Sequence, residues 1–257
     1  MSNTVITFNE VSKKYDHTDG YAVKHISLKI EQGEFITILG SSGSGKTTML
    51  KMVNRLQEPS SGTIALSGEN IAAMNPVELR RKIGYVIQQT GLFPHLTIAQ
   101  NIAVVPKLLK WPRERIQTRV DELLELVGLP PKDYRNRYPA QLSGGQQQRS
   151  GLARALAADP EVMLLDEPFG AIDAINRTYL QDELLRLHRG LGKTFLLVTH
   201  DINEAFKLGT RVIIMDKGEV CQFDTPERIA KHPAEGFVAS LIASSRQQER
   251  FWEELYD

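Results

Sequence analysis

Apolar and polar residues alternate along "VITFNEVSKKY" and "AVKHISLKI", the period-two pattern of strands with one buried face. "EFITILG" is apolar almost throughout, as a strand covered on both faces is. It runs directly into "SSGSGK" and then into the helical "TTMLKMVNRL". "EPSSG" predicts a turn and "TIAL" a short strand after it. In "NPVELRRK", Asn75 is expected to cap a helix, Pro76 to occupy its first position and Glu78 to reach back to the cap. "IGYVIQ" returns to strand. From about Thr97 to Ala158 the spacing is mostly helical. Ile116, Val120, Leu123, Leu124 and Val127 share one helix face, and Gly128 is the stop. After Pro160, "EVMLLDE" reads as another buried strand and "RTYLQDELLRLHRGLG" as a helix. "TFLLVTH" and "RVIIMD" read as strands and "DKGE" as a hairpin turn. Thr225 and Pro226 open a last helix. The polar tail "SSRQQERFWEELYD" is either helical or loosely attached.

This order describes an α/β protein: a core of mixed sheet and helices, split in sequence into 1–90 and 160–240, with an inserted α-helical subdomain at 91–159 and a tail at 241–257. The 257 residues, 41% hydrophobic and 24% charged, suffice for a substantial core. Lys+Arg and Asp+Glu both number 31, so net charge gives nucleic-acid binding no support. The single cysteine, Cys221, excludes an internal disulfide and reads as a small strand residue. The N-terminus has no signal pattern, and no apolar run is long enough to span a bilayer. The expectation is a cytoplasmic chain whose membrane role, if any, needs a partner.

"GSSGSGKT", comprising Gly40, Ser41, Ser42, Gly43, Ser44, Gly45, Lys46 and Thr47, fits G-x-x-x-x-G-K-[ST] completely, between a predicted strand and a predicted helix. Backbone N–H groups of such a turn point at phosphates. Lys46 would neutralise the β and γ phosphates and the Thr47 hydroxyl would hold Mg²⁺. Thr48, next to it, is grouped with the cradle. The competing reading is an ordinary glycine turn capped by Ser44. "VMLLDE" delivers Asp166 and Glu167 to the carboxyl end of a strand, the edge where ligands sit in open α/β sheets. Asp166 would coordinate Mg²⁺, and Glu167 would orient or deprotonate the attacking water. His200 ends "TFLLVTH" and is placed to contact the γ-phosphate, though a lone histidine is more often structural. Either Gln88 or Gln89, after "IGYVI", is placed to sense the metal or the water. Tyr15, before the loop "DHTDG", offers a ring on which adenine can stack, though an isolated tyrosine is usually a core residue.

"LSGGQQQR" poses a second question. Ser143 predicts a cap, with Gly144, Gly145 and Gln146 in the first turn of a helix whose N–H groups and dipole favour an anion. This second cradle has no lysine and no metal ligand, and it lies in the helical insertion. It is suited to closing over a nucleotide bound elsewhere. A head-to-tail C₂ homodimer, each chain's second cradle closing over the nucleotide in its partner's first, meets that geometry.

"GSSGSGKT", "LSGGQ", "VMLLDEP", "GAID" and "THD" occur here in the order and spacing of the ATP-binding subunits of ABC transporters, and the chain resembles that family over roughly residues 5–235. The resemblance implies the ABC ATPase fold with ATP and Mg²⁺. It implies that Tyr15 stacks on adenine, that Gln88 rather than Gln89 links nucleotide to the membrane partner, and that Glu167 is the catalytic base. It further implies that Asp173 communicates across the dimer and that His200 is the γ-phosphate switch. A narrower likeness lies in "QQTGLFPHLTIAQNIAVVPKLLKW" and "DEPFGAID", which are similar to ATPases of importers for glycine betaine, choline and carnitine. That likeness implies transmembrane permease subunits, an indirect link to a solute-binding protein, and a peripheral place on the cytoplasmic face of the cell membrane. Ile87, Ser150 and Ala174 depart from the common Phe, aliphatic residue and Pro. Many relatives continue into a pair of CBS modules for which this sequence is too short, so the resemblance extends to ATP hydrolysis and not to osmotic or ionic regulation.

Three rivals remain in view. A soluble translation or chromosome-maintenance ATPase would hold two cassettes or a long coiled coil. A binding-only module would be expected to lack Glu167 or His200. An importer of another solute, such as an amino acid, would look the same, because specificity lies in other proteins.

Overall fold

The structure, a computed structural model, describes residues 3–16, 20–88, 91–170 and 172–256. In chain order it forms β1 (Thr4–Lys14), β2 (Tyr21–Glu31), β3 (Phe35–Gly40), α1 (Lys46–Val53), β4 (Ser61–Leu66), β5 (Glu69–Asn70), α2 (Pro76–Arg81) and β6 (Ile83–Val86). The helical stretch follows: α3 (Ile98–Ile102), α4 (Val104–Leu108), α5 (Arg113–Leu126), α6 (Pro131–Tyr134), a 3₁₀ turn at Pro139–Gln141, and α7 (Gly144–Leu156). Strands then resume with β7 (Val162–Asp166), α8 (Ala174–Leu191), β8 (Thr194–Thr199), α9 (Ile202–Leu208), β9 (Arg211–Asp216), β10 (Glu219–Asp224), α10 (Pro226–Lys231) and α11 (Phe237–Tyr256). The polar tail is therefore part of a helix.

The chain forms two compact units, Met1–Met74 with Val198–Asp257, and Asn75–Leu197. In the first unit, β2, β1, β4 and β5 make an antiparallel sheet in that order. A bulge at Glu10, whose φ is 50°, breaks the β1 register between Phe8 and Val11. The same unit contains the run β10–β9–β3, with β9 antiparallel to β10 and parallel to β3. Every residue of β3 is buried, as its unbroken apolar run requires. Leu39, Val212 and Ile214 from these strands pack with Ala205 of α9, Ile229 of α10 and Val238 and Ile242 of α11. The turn between β9 and β10 has positive φ at Lys217 and Gly218, as a two-residue hairpin demands. Cys221 is exposed on β10, where partial burial of its thiol raises the pKa.

In the second unit, β6 and β7 are parallel, with β8 beside β7. All five residues of β7 are buried. Helix α7 packs on α3, α5 and β6. Ile116, Val120, Leu123 and Leu124 form the buried face of α5, and Gly128 takes φ 66° just beyond its end. Asn75 caps α2 by accepting from the Val77 N–H at 2.8 Å, and Pro76 takes the first position. Glu78 does not reach back to the cap. It accepts from Arg81 at 2.6 Å, a partner one turn on that carries the opposite charge.

Asn101 explains why "GLFPHLTIAQNIA" holds one shape. It is fully buried. Its carbonyl accepts from the Phe93 N–H at 2.8 Å, and its amide donates to the carbonyls of Phe93 (3.1 Å), Leu96 (3.1 Å) and Thr97 (3.0 Å). Thr97 and Gln100 add a capping box at the start of α3. Asn101→Ala would remove all four bonds, although the Phe93 and Thr97 carbonyls keep backbone donors in Leu96 and Asn101. The expected loss is about 2–4 kcal/mol of stability in urea unfolding, with faster proteolysis between Gly91 and Thr97.

Candidate functional site

The glycine-rich turn belongs to the first unit. Helix α1 begins at Lys46, and its cap is Gly45 at φ 99°, with no side-chain cap. Ser44 therefore does not cap it. Its hydroxyl is buried and has no hydrogen-bond partner. Gly43 also has positive φ, 77°. Lys46 is 6% exposed, and its ammonium donates to the carbonyls of Gly40 and Ser41, each at 2.8 Å. An ammonium so buried needs oxygen partners, and the turn's own carbonyls supply them. Thr47 follows in the same turn of α1. The Thr48 hydroxyl lies 3.3 Å from the Tyr15 hydroxyl, and the Lys13 ammonium stands 5.2 Å from the Tyr15 ring centroid. Tyr15 is half-buried rather than sunk in the core. His200 is exposed immediately after β8, before Asp201 caps α9.

The carboxylates belong to the second unit. Asp166 ends β7 and is 7% exposed. Glu167 stands in the left-handed region at φ 48°, which turns the chain sharply out of the strand. Gln88 donates its side-chain amide to Glu167 Oε2 at 2.9 Å, so these two predicted residues meet. Gln89 lies outside the described residues, as do His17, Thr18 and Asp19 of the "DHTDG" loop and Ala171 of "GAID". Asp173 caps α8, accepting from the Asn176 N–H at 3.1 Å and from the Asn176 side chain at 2.8 Å. These bonds hold its carboxyl below the usual carboxylate range.

Sequence reading missed Tyr85. Its hydroxyl donates to Asp166 Oδ2 at 3.2 Å, and burial, followed by the charge of Asp166, pushes the phenol pKa upward. The available signal was a polar-tipped ring inside the otherwise apolar strand "IGYVI".

The second cradle lies at the start of α7. Ser143 accepts from the Gln146 N–H at 3.4 Å, and Gln146 accepts in return from the Ser143 N–H at 3.0 Å. Gln146 also donates to the Tyr134 hydroxyl at 3.1 Å, which braces the turn. Gly144 has open space where a Cβ would stand, so another body can approach its backbone.

A family model described as ABC transporter matches residues 23–170, more than half of the chain. The chain belongs to the ABC transporter family. Among its relatives is the glycine betaine/carnitine/choline transport ATP-binding protein OpuCA of Bacillus subtilis, 55% identical over 242 residues, which are 94% of this chain and 63% of that protein. The glycine betaine uptake system ATP-binding protein YehX of Escherichia coli is 52% identical over 241 residues, 94% of this chain and 77% of that protein. This chain thus spans less than two thirds of the length of OpuCA. Among solved structures, the ATP-binding cassette MJ0796, in a dimeric post-hydrolysis state bound to ADP and Pi, is 37% identical with a TM-score of 0.75, over 86% of this chain and 98% of that one.

Ser150 is fully buried, and its hydroxyl donates to the Gln146 carbonyl one turn back at 2.9 Å. Ala174 occupies the first position of α8, a place that tolerates proline without losing a helix bond.

Two glycines of the ABC transporter cradle make different demands. A Cβ on Gly43 would meet nothing, whereas one on Gly45 would collide with the Ala22 carbonyl. Gly43→Ala is expected to cost about 1–2 kcal/mol, from left-handed backbone strain alone. Gly45→Ala is expected to cost more than ~3 kcal/mol. Urea unfolding of the two variants checks the order.

Proposed function

We propose that this chain is the ATP-hydrolysing subunit of an importer for quaternary-amine osmoprotectants such as glycine betaine, choline or carnitine. The observation that carries the hydrolytic part is the carboxylate pair closing β7, Asp166 with Glu167, the latter held by Gln88. The solute class is supported by the likeness to OpuCA and YehX over 94% of the chain. No helix among the described residues is long and apolar enough to cross a membrane. In this reading transmembrane permease subunits carry the transport path, and this chain is bound to them at the cytoplasmic face.

The residues present fit ATP. The turn at Gly40–Gly45 offers backbone N–H groups and the orphaned Ser44 hydroxyl to phosphate oxygens. Lys46 exchanges its two neutral carbonyl partners for the β and γ phosphates, whose negative charge the ammonium neutralises. Tyr15 offers its ring to adenine. The Thr47 hydroxyl, the Asp166 carboxylate and the Gln88 amide oxygen are hard oxygen donors, the chemistry that Mg²⁺ prefers. When bound, Mg²⁺ neutralises charge on the phosphates.

Glu167 orients a water toward the γ-phosphorus and accepts its proton as the oxygen attacks. The bond from γ-phosphorus to the bridging oxygen breaks, leaving ADP and phosphate. His200 contacts the γ-phosphate and senses its loss. Gln88 releases Glu167 when nucleotide arrives, which ties readiness for hydrolysis to the "GLFPH" segment that Asn101 shapes and that faces the permease. In a head-to-tail homodimer, Ser143, Gly144, Gly145 and Gln146 of one chain close over the other chain's nucleotide. Asp173 carries the state of one site to the other through the helix it caps. The open backbone at Gly144 and the dimeric form of the MJ0796 cassette support this arrangement.

Glu167→Gln should still bind ATP and hydrolyse it ~10²–10⁴-fold more slowly. It should accumulate as an ATP-bound dimer in size-exclusion chromatography. Turnover near that of the unaltered chain would remove Glu167 from the role of base.

The solute is tested by uptake. Cells lacking this chain should lose ATP-dependent uptake of at least one among glycine betaine, choline and carnitine. Normal uptake of all three, with loss of an unrelated solute, would overturn the solute class and leave the ATPase reading intact.

A further inference from the structure

We propose that Tyr85 is a positioning residue for the metal: its hydroxyl fixes the orientation in which the Asp166 carboxylate meets Mg²⁺. This inference rests on the preceding reading of Asp166 as a metal donor. Asp166 closes a strand buried along its whole length and is itself 7% exposed, so its charge has little access to water. Such a carboxylate needs hydrogen-bond donors around it. Tyr85 is one, at 3.2 Å from Oδ2.

The strand register explains how the phenol reaches it. Tyr85 of β6 pairs with Leu164 of β7. Strand alternation returns the next-but-one residue, Asp166, to the same face as Leu164, one diagonal step from Tyr85. Glu167 comes next in the chain and has a different holder, the Gln88 amide. Two adjacent carboxylates are thereby sorted by two donors on neighbouring stretches of chain. Both donors are uncharged, so the phenol directs Asp166 without competing with a cation for it. Ligating carboxylates are commonly oriented by such outer hydrogen bonds, and loss of one typically weakens metal binding 10–100-fold.

The test uses the full chain with Tyr85→Phe, which removes only the hydroxyl, and Tyr85→Met, which removes it within a different apolar shape. Melting curves establish that each variant is folded. ATP affinity is measured by calorimetry in EDTA and across a Mg²⁺ titration, and Mn²⁺ bound with ATP is followed by electron paramagnetic resonance. Both variants should need about 10-fold more Mg²⁺ for half-saturation and show a broadened Mn²⁺ spectrum. Their ATP affinity in EDTA should be unchanged, and saturating Mg²⁺ should restore turnover. A Mg²⁺ requirement equal to that of the unaltered chain overturns the proposal, and so does an equal weakening of ATP with and without Mg²⁺. Asp166→Asn separates the two levels of the argument. If it raises the Mg²⁺ requirement while the Tyr85 variants do not, only the role of Tyr85 fails. If Asp166→Asn also leaves the requirement untouched, the reading of Asp166 as a metal donor fails with it.

Discussion

A charge at the carboxyl end of a strand that is buried along its whole length has little water to turn to, and it must be met by dipoles of the protein or by a ligand. One strand here, β7, ends in that way, and another, β3, leads within one turn to a buried charge. β3 is buried from Phe35 to Gly40 and runs into the turn that buries Lys46. β7 is buried from Val162 to Asp166. The Lys46 ammonium is met by two carbonyls of its own turn, and the Asp166 carboxylate accepts from Tyr85. Burial of the strands serves stability, and the same burial strengthens every electrostatic interaction at their ends.

The partners differ in how easily they can be replaced. The carbonyls of Gly40 and Ser41 are uncharged acceptors, which phosphate oxygens can outcompete for an ammonium. The bond from Gln88 to Glu167 joins an exposed amide to a half-buried carboxylate by a single contact, which can be given up at small cost. Asp173 is held more firmly, because its carboxylate takes both a backbone and a side-chain donor at the start of α8. The first two contacts are of the kind a nucleotide would displace.

Much of this was legible before any coordinates. The glycine-rich turn between strand and helix, the buried strand bearing Asp166 and Glu167, and the cap at Ser143 each follow from local chemistry: positive φ, unbroken hydrophobicity, and orphan N–H groups that need an acceptor. The Gln88–Glu167 contact was not legible, because the two residues lie 79 positions apart and meet only through the pairing of β6 with β7. Nor was the role of Asn101. An asparagine in "NIA" reads as an ordinary helix residue until the Phe93–Thr97 segment is seen folded around it. Glu78 shows the opposite limit. The capping pattern was present in sequence, but Arg81 lay within reach and a charged partner won.

The amino-acid sequence by itself determined the elements, the two cradles and the residue types able to bind phosphate, hold a hard cation and take a proton. These depend on neighbours within a few positions, where backbone geometry leaves few alternatives. Only the tertiary structure decided which polar group meets which. Tyr85 came to serve Asp166, and Lys46 was folded back onto its own turn, because a buried charge takes whatever donor or acceptor strand pairing brings within hydrogen-bond distance, and strand pairing is not written in any one segment.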